Sequence, residues 1–561
     1  RAKGFPLFIA LPILVAGWER LQGFPMGGFY WRFLGHSQYQ NLAMIQIADI
    51  LGAAGVSFVV AMVNGLLVDL IQAIARARQR PIVCLTDTPS PGIRVHPWQV
   101  WTILRLVSRD AGPLLLAGSK PSSTKSLSLR TGVVAVVVTA TFLYGQWRLR
   151  QAEECVTEGP LVASLQSNVP ISVKRSFKAS EDIFEELMAK SQAAASVGAN
   201  LIVWPETMVQ GNLQPELWSN PQVSHWDWEE AKAFHKALGE HAKDNAYLLV
   251  GAYGGEILRD SAGKDYFGKY NSAYFYRPDG AKYAGRYDKI HLVLFGEYIP
   301  FRRSIPWVFE QLGKFLPEGY NPDYSLEHGR NYTIFEMGTP IGKGEPNSPV
   351  GQSLGDSVKA EGPGDGSTIP VANHRQAALD NATLQQSAQA SPYRFAVIIC
   401  YEDTVPYVAR TFALDDQGRK RIDWLVNISN DGWFVRFITE PERVVPSTEL
   451  PQHAAICAFR AVENRLPILR SVNTGISCLI ESTGRIRNGY LAASDGFPSK
   501  AMNRTGLTGW FSDKMPIDTR VTFYSRHGEW LANGCSAVLI AIVVGLWAPR
   551  LIRRKPSKAA R

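Results

Sequence analysis

Cysteine is scarce in this sequence: the 561 residues include six cysteines, and none of them stands in a CxxC or other metal-ligand spacing. That scarcity excludes a scaffold held by many disulfides and excludes the zinc-finger classes. The ten histidines form no HExxH motif, so the sequence predicts neither a metal site nor a bound cofactor. We therefore expect any functionally important cysteine to act alone.

Charged residues are also few, at 19% of the chain, and the net charge of +9 is unevenly distributed. Much of the positive excess lies beside apolar runs, which is the pattern of cytoplasmic loops in membrane proteins rather than of a nucleic-acid-binding surface. The tract 151–530 has the composition of an ordinary soluble domain. The sequence therefore excludes a purely soluble protein and a bundle made only of membrane helices, and it predicts no nucleic-acid partner.

Apolar runs mark the candidate membrane spans. The predicted spans lie within a membrane domain of residues 1–150, near 4–18, 50–74 and 132–147, and at the C-terminal helix 531–548. The run 50–74 carries a single charge, Asp69, and is long enough to cross a hydrocarbon core of about 30 Å. We interpret 4–18 as the tail of a membrane region whose earlier part is missing.

The distribution of Lys and Arg predicts the orientation of these spans. Under the positive-inside rule, the loop 76–131 and the basic tail 549–561 lie in the cytoplasm. Residues 151–530 then form one large domain on the outer side. Arg148 and Arg150 argue against this orientation because they stand on the outer side of their span, although long domains translocate largely regardless of local charge.

Within the large domain, short β-branched runs alternate with stretches of helical periodicity, which predicts an α/β fold. The predicted buried strands are 161–167, 201–204, 247–253, 395–400 and 424–428, and the predicted helices are 181–195, 229–242 and 453–464. Residues 338–391 are rich in Gly, Pro, Ser and Gln with almost no aromatic residues. We expect a disordered surface insertion there.

Three polar side chains stand at the ends of apolar strands: Glu206, Lys289 and Cys400. Loops at the carboxyl edge of a sheet commonly present catalytic groups. Taken singly, each residue has an ordinary structural interpretation, since a strand-end cysteine is usually a small buried residue and a strand-end Glu or Lys is usually a solvated cap. Together they would supply the nucleophile, the base and the oxyanion-stabilising charge that acyl transfer through a thioester requires.

The surroundings of these three residues resemble the Glu-Lys-Cys triad of the nitrilase superfamily, and the flanking segments resemble those of the bacterial apolipoprotein N-acyltransferases. The matching segments extend over nearly the whole chain, at 23–25, 34–38, 55–58, 204–207, 289–293, 295–298, 400–402, 427–434 and 470–477. So many segments in the right order are far more specific than a single short motif.

This resemblance implies a nitrilase-like αββα sandwich attached to a bundle of transmembrane helices in the bacterial inner membrane, with the catalytic domain on the periplasmic side. It also implies a reaction. A monomeric enzyme would move a fatty acyl chain from a membrane phospholipid to the α-amino group of the N-terminal S-diacylglyceryl-cysteine of a lipoprotein.

The resemblance assigns roles to individual residues as well. Cys400 would carry the acyl group as a thioester, Glu206 would act as the base and Lys289 would stabilise the oxyanion. The supporting residues of the family correspond here to Glu297, Tyr401 and Glu402. These three are equally compatible with ordinary structural hydrogen bonding.

Two apolar segments rich in aromatic residues follow Glu206 and Glu297 in the sequence. We interpret them as lids or membrane-dipping arms that serve a lipid substrate. The candidate lid residues are Trp218, Trp226, Trp307 and Phe309. The alternative is that both segments are core helices or packed loops.

Two other functions stay open at this point. A membrane-tethered amidase would use the same three residues with water as the acceptor. A non-catalytic module would bind lipoproteins in a nitrilase-like pocket and would keep its function without Cys400. The apolar segments and the membrane spans favour the acyltransferase.

Overall fold

The computed structural model describes residues 5–25, 28–77, 124–169, 177–223, 228–243, 245–260, 263–279, 284–302, 305–314, 325–338, 392–439 and 442–552. Except for Gly338, the predicted insertion 338–391 lies outside the described residues. Most of the predicted loop 76–131 and the end of the tail 549–561 also lie outside them.

Helices and strands are numbered here in chain order. The helices are α1 (Leu7–Leu21), α2 (Leu42–Ile45), α3 (Ala48–Leu51), α4 (Ala53–Ala77), α5 (Thr124–Cys155), α6 (Phe177–Ser196), α7 (Pro215–Trp218), α8 (Glu229–Ala242), α9 (Pro306–Gly313), α10 (Pro406–Ala413), α11 (Leu450–Asn464), α12 (Phe523–His527) and α13 (Trp530–Ile552). The strands are β1 (Val156–Gln166), β2 (Leu201–Val203), β3 (Val209–Asn212), β4 (Tyr247–Arg259), β5 (Asp265–Tyr276), β6 (Gly285–Asp288), β7 (Ile334–Met337), β8 (Tyr393–Ile399), β9 (Trp424–Ser429), β10 (Val435–Thr439), β11 (Glu442–Pro446), β12 (Ile468–Val472), β13 (Cys478–Ile480), β14 (Ala492–Ala493) and β15 (Gly509–Asp518).

Helices occupy the four segments that the sequence predicts to span a membrane. By length and composition, two of them can cross one, over Ala53–Ile74 in α4 and Ser126–Cys155 in α5, whereas the apolar part of α13 is shorter. Helix α1 contacts both α4 and α13. Its backbone approaches α13 closely at Gly17, where a Cβ atom would stand 2.8 Å from the carbonyl oxygen of Cys535.

The first sheet of the large domain has the strand order β14-β15-β1-β2-β4-β5-β6, and β3 pairs with β4. Strands β1, β2 and β4 run parallel, so Ile202 lies opposite both Ala163 and Leu248. Strands β5 and β6 continue the sheet in antiparallel fashion. The parallel centre places the carboxyl ends of its strands at one edge, where Glu206 follows β2.

The second sheet has the order β13-β12-β9-β8-β7, and its three central strands β12, β9 and β8 are parallel. Ile399, the last residue of β8, lies opposite Ile428 of β9. All seven residues of the segment 424–430 are buried, as expected for strands covered on both faces. Cys400 therefore stands at the carboxyl edge of this sheet.

The side chains of β2 show how the layers are stacked. Leu201 and Val203 belong to the core between the two sheets, whereas Ile202 and Trp204 belong to a second core that also contains side chains of α6 and α8. Successive strand residues point to opposite faces, so each sheet carries a helical layer outside and packs on the other sheet inside. The predicted α/β sandwich is confirmed.

A buried cluster of charges joins helices α3 and α5 to the large domain. Oδ2 of Asp49 accepts hydrogen bonds from Arg148 at 2.7 Å and from Arg465 at 2.6 Å, and its Oδ1 accepts one from the Tyr144 hydroxyl at 2.7 Å. Arg465 caps the end of α11 in a left-handed conformation and also donates to Gln46. We refer to Gln46, Asp49, Arg148 and Arg465 as the junction cluster.

Candidate active site

Glu206 lies on the loop that follows β2 and is 5% exposed. Its Oε1 accepts a hydrogen bond from Nδ2 of Asn271, and its Oε2 accepts one from the backbone N–H of Asn430, both at 2.6 Å. The loop approaches β4 so closely that a Cβ atom on Gly251 would stand 2.3 Å from the carbonyl oxygen of Pro205. The carboxylate is therefore held from both sheets in a fixed orientation.

Lys289 is the first residue after β6 and is 1% exposed. Its Nζ lies 2.9 Å from Oε1 and 2.8 Å from Oε2 of Glu297, and 3.8 Å from Oε1 of Glu206. Burial alone would lower the pKa of Lys289, but the negative charges of Glu297, of Cys400 as thiolate and of Glu206 outweigh burial and raise it. The side chain is thus a permanent ammonium with two carboxylates beside it.

Asn271 of β5 was not identified in the sequence analysis. Its Nδ2 donates to Glu206 at 2.6 Å and to Glu297 at 3.0 Å, so a single amide group bridges the two carboxylates. Glu297 also accepts the backbone N–H of Val293 at 2.8 Å. One available signal was a polar residue at the start of the run Asn271–Tyr276, whose other members are mostly apolar or aromatic.

Cys400 directly follows β8, is 8% exposed and has a φ of +50°, a left-handed conformation that is unusual for a residue with a side chain. Such backbone strain is common where a fold presents a reactive group. Burial raises the pKa of the Cys400 thiol well above its usual value, and the charge of Glu206 raises it further against the opposing charge of Lys289. The resting group is therefore a thiol, which needs a base before it can act as a nucleophile.

Glu402 connects the Cys400 turn to the Lys289 loop. Its carboxylate accepts the backbone N–H groups of Ile290 at 2.7 Å, His291 at 3.0 Å and Ile399 at 2.7 Å, and the hydroxyl of Tyr287 at 2.9 Å. Burial raises the pKa of Glu402 to about 7, although the N–H groups of Ile399 and His291 act in the opposite direction. The residue is fully buried, so its place is structural support of both loops.

Tyr401 contacts a residue from the N-terminal part of the chain. The indole of Trp31 stacks on the Tyr401 ring at a centroid distance of 5.9 Å and an interplanar angle of 5°. The same indole donates to Glu449 at 2.9 Å and to Gln452 at 3.0 Å, and it meets the ring of His453 edge-on at 4.5 Å. Trp31, which the sequence analysis did not identify, thus ties the segment before α4 to the residue next to Cys400.

The geometry brings Glu206 and Lys289 together directly, and their charges act on Cys400. The sequence model of the carbon-nitrogen hydrolases matches residues 161–490, which include all three. The chain belongs to the carbon-nitrogen hydrolase family. A second sequence model, that of the apolipoprotein N-acyltransferase N-terminal domain, matches residues 1–66.

Curated relatives extend the similarity over almost the whole chain. The apolipoprotein N-acyltransferase of Geobacter metallireducens is 28% identical over 546 residues, which cover 95% of this chain and 73% of that protein. The protein of the same name from Bradyrhizobium diazoefficiens is 24% identical, and the alignment covers 98% of this chain and 74% of that protein.

Solved structures were compared as well. An amidase from Nesterenkonia sp. aligns at 13% identity with a TM-score of 0.35, covering 67% of this chain and 98% of the amidase. A mutant of the amidase from Nesterenkonia AN1, described as a member of the nitrilase superfamily, aligns with a TM-score of 0.34 at 12% identity, covering 67% of this chain and 95% of that chain.

Three of the four lid candidates of this carbon-nitrogen hydrolase lie within the described residues, and their environments differ. Trp307 of α9 is 68% exposed, and Phe309 of the same helix is half-buried. Trp218 packs in a small apolar cluster that contains Trp228, and its indole N–H donates to the backbone of Asn212 at 3.1 Å. Trp218 is therefore placed as a packing residue rather than as an exposed arm, because its ring packs in a cluster with residues of α8, β4 and β5.

Trp226 lies outside the described residues. Further exposed aromatic side chains stand near the site in sequence, and the sequence analysis did not name them: Phe295 and Phe301, each 40% exposed, and Trp433, 55% exposed. Within the described part of the chain, no group of three or more His, Cys, Asp or Glu side chains could hold a metal ion.

Proposed function

We propose that this protein is an apolipoprotein N-acyltransferase that takes a fatty acyl chain from a membrane phospholipid and transfers it to the α-amino group of a diacylglyceryl-cysteine at a lipoprotein N-terminus. Cys400 is the acylated nucleophile, Glu206 is the base and Lys289 stabilises the negative charge that develops during transfer.

The observation that carries the proposal is the contact between Trp31 and Tyr401. It joins the segment that precedes the membrane helix α4 to the residue beside the nucleophile. An enzyme that acts on small soluble amides has no need to build its site from residues next to a membrane helix, whereas an enzyme that acts on two lipids does. The similarity to named N-acyltransferases over both parts of the chain supports the same conclusion.

The first half-reaction forms the thioester. Glu206 takes the proton from the Cys400 thiol as the sulfur adds to the ester carbonyl of the phospholipid. The ammonium of Lys289 stabilises the oxyanion. Glu206 then gives the proton to the departing oxygen, so that a lysophospholipid leaves and the acyl group stays on Cys400.

The second half-reaction breaks the thioester. The neutral α-amine of the lipoprotein adds to the thioester carbonyl while Glu206 takes one of its protons. Cys400 departs as the new amide bond forms and recovers the proton from Glu206. Water in place of the amine would give a free fatty acid, which is the reaction of an amidase-like hydrolase.

The proposed location is the bacterial inner membrane with the large domain on the periplasmic side. Basic residues that follow α4 and those that follow α13 belong to the same, cytoplasmic side under the positive-inside rule. The large domain, between α5 and α13, then faces the compartment in which lipoproteins present their N-terminus.

The experiment that tests the proposal is peptide mass spectrometry of the full-length protein in phospholipid nanodiscs. We expect a hydroxylamine-labile acyl adduct on Cys400, which discharges onto a diacylglyceryl-cysteine peptide and does not form in the Cys400→Ala variant. The Cys478→Ala variant is the matched control, because Cys478 is a buried strand cysteine in the second sheet.

Absence of the adduct in folded protein would contradict the phospholipid donor. Discharge to free fatty acid with no amide product would instead favour the amidase. Function that survives Cys400→Ala would favour the binding module.

A further inference from the structure

We propose that Asn271 is a positioning residue of the active site, whose single amide group holds the carboxylates of the base Glu206 and of its neighbour Glu297 side by side. This inference rests on the proposed roles of Glu206 and Cys400. It begins from a count of charges, because two carboxylates share one ammonium, that of Lys289.

Two neighbouring carboxylates repel each other, and without other stabilisation such a pair retains a proton. A protonated Glu206 is useless as a base. Backbone N–H groups of Asn430 and Val293 stabilise Glu206 and Glu297 one at a time. Nδ2 of Asn271 stabilises both at once, because it donates to Oε1 of Glu206 at 2.6 Å and to Oε1 of Glu297 at 3.0 Å. The uncharged amide donor lies between the two carboxylates and lowers their mutual repulsion. It adds no net charge to the site.

The place of Asn271 in the sheet explains why its side chain reaches this position. On β5 it has the same parity as Ala273 and Phe275, which lie in the core between the two sheets. Its carbonyl oxygen accepts the backbone N–H of Lys289 at 2.8 Å. One residue therefore holds the main chain of Lys289 and the side chains of both glutamates.

The orientation of the amide follows from its partners. If the oxygen and nitrogen were exchanged, the oxygen would face two carboxylates, so Nδ2 must be the atom that points to them. Asn271 is 3% exposed, and its Oδ1 has no hydrogen-bond partner among the described residues. A buried oxygen without a donor destabilises a fold. The residue is thus placed for its donor group, at some expense to stability.

The other titratable groups of the site are distributed around this amide. Cys400 and Asp431 come from the second sheet, and the charges of Glu206, Glu297 and Asp431 all act on the Cys400 thiol. Asp288, which precedes Lys289, is engaged by Ser272 at 2.5 Å and by Arg286 at 2.8 Å. These two contacts occupy Asp288, and Asn271 is the side-chain donor that Glu206 and Glu297 share.

The test compares Asn271→Ala with Asn271→Asp, and measures kcat/KM for acyl transfer from pH 5.5 to pH 9 with full-length protein in phospholipid nanodiscs. We expect Asn271→Ala to lose about 100-fold in kcat/KM near pH 7 and to recover partly as pH rises, because the proposed base Glu206 is then ionised more often. We expect Asn271→Asp to behave in the opposite way. Its protonated carboxyl replaces the amide N–H at low pH, and its ionisation at higher pH adds a third negative charge.

Alkylation of Cys400 by iodoacetamide provides a readout that does not depend on acyl transfer. In Asn271→Asp the rate relative to the unmodified protein falls as pH rises, since the new charge opposes formation of the thiolate, whereas in Asn271→Ala this ratio shows no such fall. The matched control is Asn245→Asp, in an exposed turn where the amide donates to the carbonyl oxygens of His241 and Lys243. We expect Asn245→Asp to have the same kcat/KM and the same alkylation rate as the unmodified protein at every pH.

Equal losses in the two Asn271 variants at every pH would show a merely structural role and overturn the proposal, as would activity within twofold of the unmodified protein. If the unmodified protein transfers no acyl group but the alkylation ratios behave as expected, the proposed function fails and the position assigned to Asn271 stands. Thermal unfolding of each variant confirms that the compared proteins are folded.

Discussion

Two buried clusters of charged residues in this molecule are built from similar groups but carry net charges of opposite sign. The junction cluster places one carboxylate, Asp49, against the guanidinium groups of Arg148 and Arg465. The active-site cluster places two carboxylates, Glu206 and Glu297, against the single ammonium of Lys289. Each also contains one amide side chain. One cluster has excess positive charge and the other has excess negative charge.

The difference shows that burial of charge alone does not identify a catalytic site. In the junction cluster both oxygens of Asp49 accept hydrogen bonds, one of them from the Tyr144 hydroxyl, and none of the four residues of the cluster is a cysteine. The cluster therefore joins two parts of the chain by paired charges. In the active site the same kind of arrangement leaves a strained cysteine, Cys400, within the influence of an unneutralised carboxylate. Excess charge beside a nucleophile is the distinguishing feature.

The largest expected effect is a loss of turnover when a charged residue of the active-site cluster is replaced. Glu206→Gln removes the proposed base and is expected to lower kcat for acyl transfer by roughly 10³-fold. The same change removes a negative charge that raises the pKa of Cys400, so the pH at which iodoacetamide alkylates Cys400 half-maximally moves down. Lys289→Met also abolishes most turnover but moves this midpoint up, since it removes the charge that lowers the pKa.

Asp49→Asn is the control from the junction cluster. Once folded, it is expected to keep kcat within about twofold, because Asp49 acts on no reacting atom. Shifts of the alkylation midpoint in the same direction for Glu206→Gln and Lys289→Met would contradict the electrostatic account of the site.

The next effect is on stability. Arg465→Met removes a buried partner of Asp49 and is expected to lower the free energy of unfolding by about 3 kcal/mol, with little change in the kcat of the molecules that remain folded. Thermal unfolding in nanodiscs and active-site titration measure the two quantities separately.

The double variant Asp49→Asn with Arg465→Met completes a double-mutant cycle for this pair. Its destabilisation is expected to be smaller than the sum of the two single changes, because the second change removes a charge that the first left unpaired. A tenfold loss of kcat at unchanged stability would instead place the junction cluster in the catalytic machinery.

The smallest expected effect is on substrate binding. Trp307→Ala removes an exposed aromatic side chain from α9, and we expect KM for phospholipid to rise about fivefold at constant kcat, as loss of roughly 1 kcal/mol of apolar contact predicts. Trp218→Ala is the matched tryptophan change and is expected to reduce thermal stability without changing KM, because Trp218 packs against residues of α8, β4 and β5. If the two variants raised KM equally, the distinction between Trp307 as an exposed arm and Trp218 as a packing residue would be wrong.

Much of the fold could be predicted from local pattern. The β-branched runs at 201–204 and 395–400 correspond to β2 and β8, and helix α8 has the predicted bounds 229–242. These elements were predictable because a helix buried on one face repeats its apolar residues about every 3.6 positions, and a strand buried on both faces is a short continuous apolar run. Strand order was not, since pairings such as β1 with β15 join residues that are far apart in the chain.

The same division applies to the site. Glu206, Lys289 and Cys400 were predicted as candidates because each stands at the end of an apolar run and within a segment that resembles a known family. Asn271 and Trp31 were not predicted. Their residue types are common, and their meaning depends on neighbours that the chain brings close from many residues away.

By itself, the sequence determined the α/β class of the large domain, the positions of the apolar helices and the three candidate reactive side chains, because composition and periodicity are local properties. Only the tertiary structure decided which carboxylates share an amide, which tryptophan packs and which is exposed, and how the segment before α4 reaches the residue next to Cys400. Those features depend on distances between separate elements, and such distances are set when the two sheets and the helices pack together.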